Sequence, residues 1–227
     1  MNTISNRLIL AKWKMLGLIS VVAFIIATIT YYIYPRKQDF DINDENIKEP
    51  YIKNEYVNML NLVIIGGLIP ISICYTYLRI YKDKKENMIY LLFITAQLIT
   101  LAITNSIKAA VGSLRPDFLD RCKLINGICT GNPDSIIEGR KSFPSGHTSF
   151  VFCGTMFTIF FINSKRLRKH YNALIKYLIA GLISVILCII AIGVGLSRIL
   201  DHRHRLKDVI TGAGIGTFSS LMSIIAI

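Results

Sequence analysis

Two histidines and a set of cations stand out in a chain otherwise rich in hydrocarbon. The stretch Ser197-Arg198-Ile199-Leu200-Asp201-His202-Arg203-His204-Arg205-Leu206-Lys207-Asp208 lies between the last two long apolar segments. Charge beside hydrocarbon is expensive and usually functional. On a helix, His204 and Asp208 fall one turn apart on one face, so the carboxylate can hold and orient the imidazole. Arg198 offers a planar fork of donors that suits phosphate. A second cluster pairs Lys108 with Arg115, two helical turns apart, so both can point one way. Pro116 biases Arg115 away from helix and marks a helix end. The plain alternative is two snorkelling cations at a membrane edge. A third cluster is Pro144-Ser145-Gly146-His147, just before an apolar run. Ser145 and Gly146 can offer backbone N–H groups to an anion at a helix N-terminus, with His147 in the first turn. The plain alternative is a helix cap by Ser145.

Together these groups supply what phosphoryl transfer needs. Lys108, Arg115 and Arg198 can neutralise the equatorial oxygens, and the N–H groups at Ser145 and Gly146 add to them. Neutral His204 can attack phosphorus, with Asp208 fixing its tautomer. Protonated His147 can give a proton to the leaving alcohol and then activate water. No carboxylate cluster has metal-ligand spacing, so neither metal nor cofactor is expected. His202, Arg203, Arg205 and Lys207 read as bystanders or headgroup contacts.

The elements that must position these groups are long apolar blocks. The chain has 227 residues and is 52% apolar, with a mean hydropathy of +0.49. That pattern indicates an all-α membrane bundle in one domain, 1–227. Six spans are expected, at about 15–34, 56–78, 88–107 (running on toward 114), 147–163, 174–196 and 207–227. The first block is too long, and too aromatic at its end, for a signal peptide. Gly212, Gly214 and Gly216 suit close packing of the last helix. Residues 35–55 and 115–143 are expected as polar loops.

Six spans put both ends on one side. The basic start shares that side with the short turns carrying Arg79, Lys82, Lys84, Lys85 and Lys165, Arg166, Arg168, Lys169. The positive-inside rule makes it cytoplasmic and places the three clusters outside or in a lumen. The net charge of +12 fits anionic headgroups or an anionic substrate better than nucleic acid, since no basic stripe lies on a soluble domain. Cys74, Cys153 and Cys188 read as small buried apolar residues. Cys122 and Cys129 either pair, if their loop faces an oxidising lumen, or stand as free thiols.

At this point the sequence resembles the type 2 phosphatidic acid phosphatases, or lipid phosphate phosphatases. Their motifs K-x6-R-P, P-S-G-H and S-R-x5-H-x3-D match at Lys108 to Pro116, Pro144 to His147 and Ser197 to Asp208. The flanking Arg115-Pro116-Asp117-Phe118-Leu119-Asp120-Arg121-Cys122 and Glu138-Gly139-Arg140-Lys141-Ser142-Phe143 look like the eukaryotic branch, which includes fungal diacylglycerol pyrophosphate phosphatases. The resemblance implies metal-independent dephosphorylation of phosphatidate, lysophosphatidate and related lipids drawn from the bilayer. It implies His204 as nucleophile, Asp208 as its partner and His147 as acid, with Lys108, Arg115, Ser145, Gly146 and Arg198 around the phosphate. The same motifs occur in vanadium haloperoxidases, but those lack six apolar spans. Isoprenoid or sphingoid phosphates are alternative substrates. A non-catalytic lipid-binding protein and an anion transporter are the readings outside enzymology.

Overall fold

The computed structural model describes residues 2–81, 86–164 and 173–225. The elements run α1 (Asn2–Tyr32), a 3-10 turn (Glu45–Ile47), α2 (Met59–Val63), a π-helical segment (Ile64–Leu68), α3 (Ile69–Tyr81) and α4 (Glu86–Val111). Then come α5 (Phe118–Cys122), β1 (Leu124–Ile125), β2 (Ile128–Cys129), α6 (Pro133–Gly139), α7 (Gly146–Ile162), α8 (Ala173–Leu200) and α9 (Leu206–Ile225). The strands form a minimal antiparallel hairpin. Helix is otherwise the only regular structure of the described residues.

Among the described residues, five stretches are long and apolar enough to cross a bilayer: Leu10–Tyr32, Met59–Ile80, Met88–Val111, Tyr177–Leu200 and Leu206–Ile225. The face of α8 shows why lipid must surround them. Leu178, Leu182, Val185, Ile189, Ile192 and Leu196 are each more than half exposed. Hydrating each would cost about 1.5–3 kcal/mol. Helix α7 is different. Its 17 residues extend about 26 Å, a little under the ~30 Å of a hydrocarbon core. Most of it is buried, with Val151, Cys153, Thr155 and Phe157 fully enclosed. It packs on α9, α8, α4 and α3 and forms the centre of the bundle.

Glycine sets the closeness of α7 and α9. A Cβ on Gly212 would stand 2.6 Å from the Ser145 carbonyl oxygen, and one on Gly216 would stand 2.2 Å from that of Ser149. Gly214 has nothing within 4 Å of its Cβ position, so the expected three-glycine face comprises two. The π segment at Gly66 and Gly67 loosens the backbone ladder. Gln97 Nε2 donates to the Gly66 carbonyl at 2.9 Å, so the backbone group is satisfied inside the bundle.

Several boundaries differ from expectation. Helix α1 starts at Asn2 rather than near 15, taking the basic start into the helix. The second span is three helical pieces. Helix α4 ends at Val111, past the expected 107 but short of 114, where Gly112 turns the chain at φ +63°. A side chain at Gly112 would strike the Arg36 carbonyl. Helix α8 continues to Leu200, so Ser197 and Arg198 are helical. The 115–143 stretch is built, not open. It holds α5, the hairpin, α6 and a Cys122–Cys129 disulfide. The turn cations Lys82, Lys84, Lys85, Lys165, Arg166, Arg168 and Lys169 lie outside the described residues.

Candidate active site

Local sequence places each functional side chain. Ser145 caps α7: its Oγ accepts from the Thr148 N–H at 3.4 Å, and its own N–H donates to the Asp208 carbonyl at 3.0 Å. Both are used inside the protein, so Ser145 stands behind the wall of the site. Gly146 and His147 form the first turn, where N–H groups lack intrahelical partners. Asp208 opens α9. Its Oδ2 accepts from the Arg205 N–H at 2.9 Å and from Ser142 Oγ at 2.6 Å. That oxygen also stands 3.7 Å from His204 Nδ1, beyond hydrogen-bond length. His204 Nδ1 and Asp208 Oδ1 are both buried without a partner. His204 precedes α9 rather than lying on it, so the pair meets through a helix cap and not through a shared helical face.

Two cavities meet at the histidines. The first, of about 140 Å³, is lined by Lys108, Arg115, Glu138, Lys141, Gly146, His147 and His204, with Thr30, Tyr31 and Asn105 on the side of α1 and α4. The second, of about 360 Å³, is lined by Glu55, Tyr51, Arg121, Asp134, Arg198 and Arg203, and shares Arg115, Glu138, His147 and His204. Lys108 and Arg115 therefore reach one cavity although the helix ends between them. The wall draws on the C-terminal ends of α1, α4 and α8 and on the N-terminal ends of α2 and α7. His204 enters just before α9.

Carboxylates and backbone carbonyls hold the cations. Arg115 Nη2 donates to Glu138 Oε2 at 3.2 Å. Lys108 Nζ donates to the Lys141 carbonyl. Lys141 Nζ donates to the Tyr31 carbonyl at 3.0 Å. Arg198, fully buried, donates through Nη1 to Glu55 Oε2 at 2.7 Å and through Nη2 to Asp201 Oδ2. Arg203 Nη2 forms an ion pair with Glu55 Oε1 at 2.9 Å and donates to the Ile52 carbonyl at 2.9 Å. The Tyr51 ring has the guanidinium carbons of Arg121 and Arg203 at 4.4 and 4.5 Å. Arg205 donates to the carbonyls of Leu114 and Asn46, and His202 Nδ1 meets that of Pro50 at 3.1 Å. Arg203, Arg205 and His202 thus pin the 33–58 segment. Lys207 alone of the expected bystanders is exposed.

Burial sets the electrostatics of the nucleophile candidate. It holds the His204 imidazole well below its ordinary pKa; Asp208 opposes this, while Lys108 and Arg115 add to it. The imidazole is therefore neutral at neutral pH. Glu55 behaves differently. Burial pushes its carboxyl up, but Arg198 and Arg203 outweigh that and hold it below the usual carboxylate range.

Sequence reasoning missed Glu55, Glu138, Lys141 and Ser142. Ser142 and Lys141 adjoin the Pro-Ser-Gly-His turn, which was a usable signal. Asp201 follows Arg198 at helical spacing and was legible too. Glu55 carried no local signal.

Apolar helices around a cationic two-histidine cavity fit a membrane-embedded phosphatase. The chain belongs to the PAP2 superfamily, whose profile matches residues 88–227. It is similar to Diacylglycerol pyrophosphate phosphatase 1 of Saccharomyces cerevisiae, 30% identical over 91% of this chain and 76% of that protein. Lipid phosphate phosphatase 1 of Arabidopsis thaliana is 37% identical over 76% of this chain. The chain spans about half of that relative, 54%. Phospholipid phosphatase 2 of Mus musculus is 26% identical over 91% of this chain and 84% of that protein. No solved structure matches.

Proposed function

We propose that this protein is a metal-independent lipid phosphate phosphatase acting on phosphatidate, lysophosphatidate and diacylglycerol pyrophosphate through a phosphohistidine. The observation that carries the reading is the meeting of His147 and His204 with Lys108 and Arg115 at one cavity. Relatives named for diacylglycerol pyrophosphate and for lipid phosphates support the substrate class.

With Nδ1 turned to Asp208, His204 has Nε2 for attack on phosphorus. The P–N bond forms as the P–O bond to the lipid alcohol breaks. His147 transfers its proton to that oxygen and then takes one from the water that cleaves the P–N bond. Lys108, Arg115, Arg198 and the Gly146 N–H surround the phosphoryl oxygens, and Ser145 holds the turn. Lys108, Arg115 and Arg198 supply the positive charge that a divalent ion supplies elsewhere. Six spans, with α7 as the short inner one, give one domain with both ends cytoplasmic and the site outside or in a lumen. The alternation of helix ends around the cavities supports this, as does the disulfide beside it.

The test is phosphate release from phosphatidate in detergent micelles with excess chelator, comparing the intact chain with His204→Ala. Release that survives chelation and vanishes in the variant is expected. Loss on chelation would overturn metal independence. Turnover by His204→Ala would overturn the nucleophile.

A further inference from the structure

The acidic side chain that reaches His147 from the 33–58 segment is Glu55. That segment is pinned. Glu49 N–H donates to the Pro116 carbonyl at 2.9 Å, and Tyr51 N–H to Asp120 Oδ2 at 2.8 Å. Arg203 holds Ile52 from the site side. Tyr56 N–H donates to Asp201 Oδ1 at 3.3 Å, so the residue after Glu55 is tied to the carboxylate that also holds Arg198. Glu55 is therefore a fixed wall of the second cavity.

Its two oxygens divide the work. Oε1 takes Arg203. Oε2 takes Arg198 and stands 4.0 Å from His147 Nε2, a nitrogen buried without a hydrogen-bond partner. Burial and the other charges around that ring are both unfavourable to an imidazolium. Lys108 comes from α4, Arg115 from the turn after it, and Arg198 from α8. Across the cavity, Glu138 is engaged with Arg115 and Lys141. Among the described residues, Glu55 is the carboxylate within ion-pair reach of His147.

We propose that Glu55 is a positioning residue for His147: its carboxylate is the counter-charge that favours the imidazolium over the neutral ring when the leaving alcohol needs a proton, while it aims the Arg198 guanidinium into the site. This rests on the assignment of His147 as the acid. Glu55 exchanges no proton. The N–H bond of His147 breaks as the O–H bond of the alcohol forms, and Glu55 keeps its charge throughout. The 4.0 Å gap leaves Nε2 a line to the leaving oxygen instead of a committed ion pair.

The test uses Glu55→Gln, which keeps an oxygen for Arg198 and removes the charge, alongside Glu55→Asp and His147→Ala. Each is assayed with an alkyl phosphate and with an aryl phosphate whose phenol leaves without a proton. With the alkyl ester, Glu55→Gln should lose at least about tenfold in kcat near neutral pH, and the alkaline limb of its pH profile should fall by about one unit or more. With the aryl ester the loss should be small. Glu55→Asp should keep the alkaline limb near its original place. Inhibition by inorganic phosphate should persist in the Gln variant, which shows the site is formed. Equal losses with both esters, an unmoved limb, or an Asp variant as poor as Gln would overturn the proposal. So would tighter phosphate binding with faster turnover, which would make Glu55 a competing anion. If His147→Ala itself shows no leaving-group selectivity, the acid assignment fails first. If it does and Glu55→Gln does not, only this inference fails.

Discussion

Asp208 does three things with one oxygen. Oδ2 caps α9 at the Arg205 N–H, accepts from Ser142 and faces His204. Capping gives the carboxylate a fixed place, and that place decides which His204 nitrogen is left for chemistry. The depressed pKa of the buried imidazole has a kinetic consequence. A protonated His204 has no lone pair, so activity is lost only as pH falls through the depressed value. The acid limb of kcat/KM, which reports the free enzyme, should lie below the ordinary histidine value of about 6.5. Substrate ionisation adds its own limb near pH 6. Two esters of different phosphate pKa separate them, because the enzyme's limb is common to both. A common limb at or above 6.5 would contradict the burial argument. At this scale short spacing pointed to His204 with Asp208 and to Lys108 with Arg115, although neither pair shares a helical face, and the Arg198–Asp201 pair went unread. Glu55 binds Arg198 across 143 positions, and no local pattern encodes such a meeting.

Between elements, the decisive contact is α7 against α9, because it joins the Pro-Ser-Gly-His turn to Asp208 through the Ser145 N–H. Gly216 keeps the two backbones close. Gly216→Val should destabilise the protein by about 1–3 kcal/mol and lower activity with it, measured as a fall in the unfolding midpoint in detergent. Gly214→Ala should leave both unchanged, since its Cβ enters open space. The existence of the apolar helices was legible from hydropathy, but their ends were not. Proline at 116 suggested a stop, yet Gly112 supplied an earlier one through a positive φ. Helix α8 ran past its hydrocarbon because Arg198 found Asp201 one turn on. A buried partner can extend a helix where composition predicts a loop.

For the molecule as a whole, the loop segments form a cap over one end of the bundle. Arg36 N–H, Gln38 and Asn46 bind the ends of α4 and the α8–α9 turn, and α5, the hairpin and α6 close the other side. Composition made these segments look like polar connectors, because their order comes from contacts with each other. Asp134 at the rim is exposed. A cysteine placed there should react with a membrane-impermeant thiol reagent added to the extracytoplasmic face of sealed vesicles. Labelling only from the cytoplasmic face would invert the proposed topology. The burial of α7 has a further meaning for an enzyme that works inside its own solvent. Bilayers differ in thickness by a few ångströms, and helices that touch lipid answer by tilting. Here α1, the α2–α3 span, α8 and α9 present apolar side chains to lipid, while the helix bearing His147 is shorter than the hydrocarbon and sheathed by its neighbours. Hydrophobic mismatch therefore acts first on the outer helices, α8 with its Arg198 among them, and reaches His147 only through their packing.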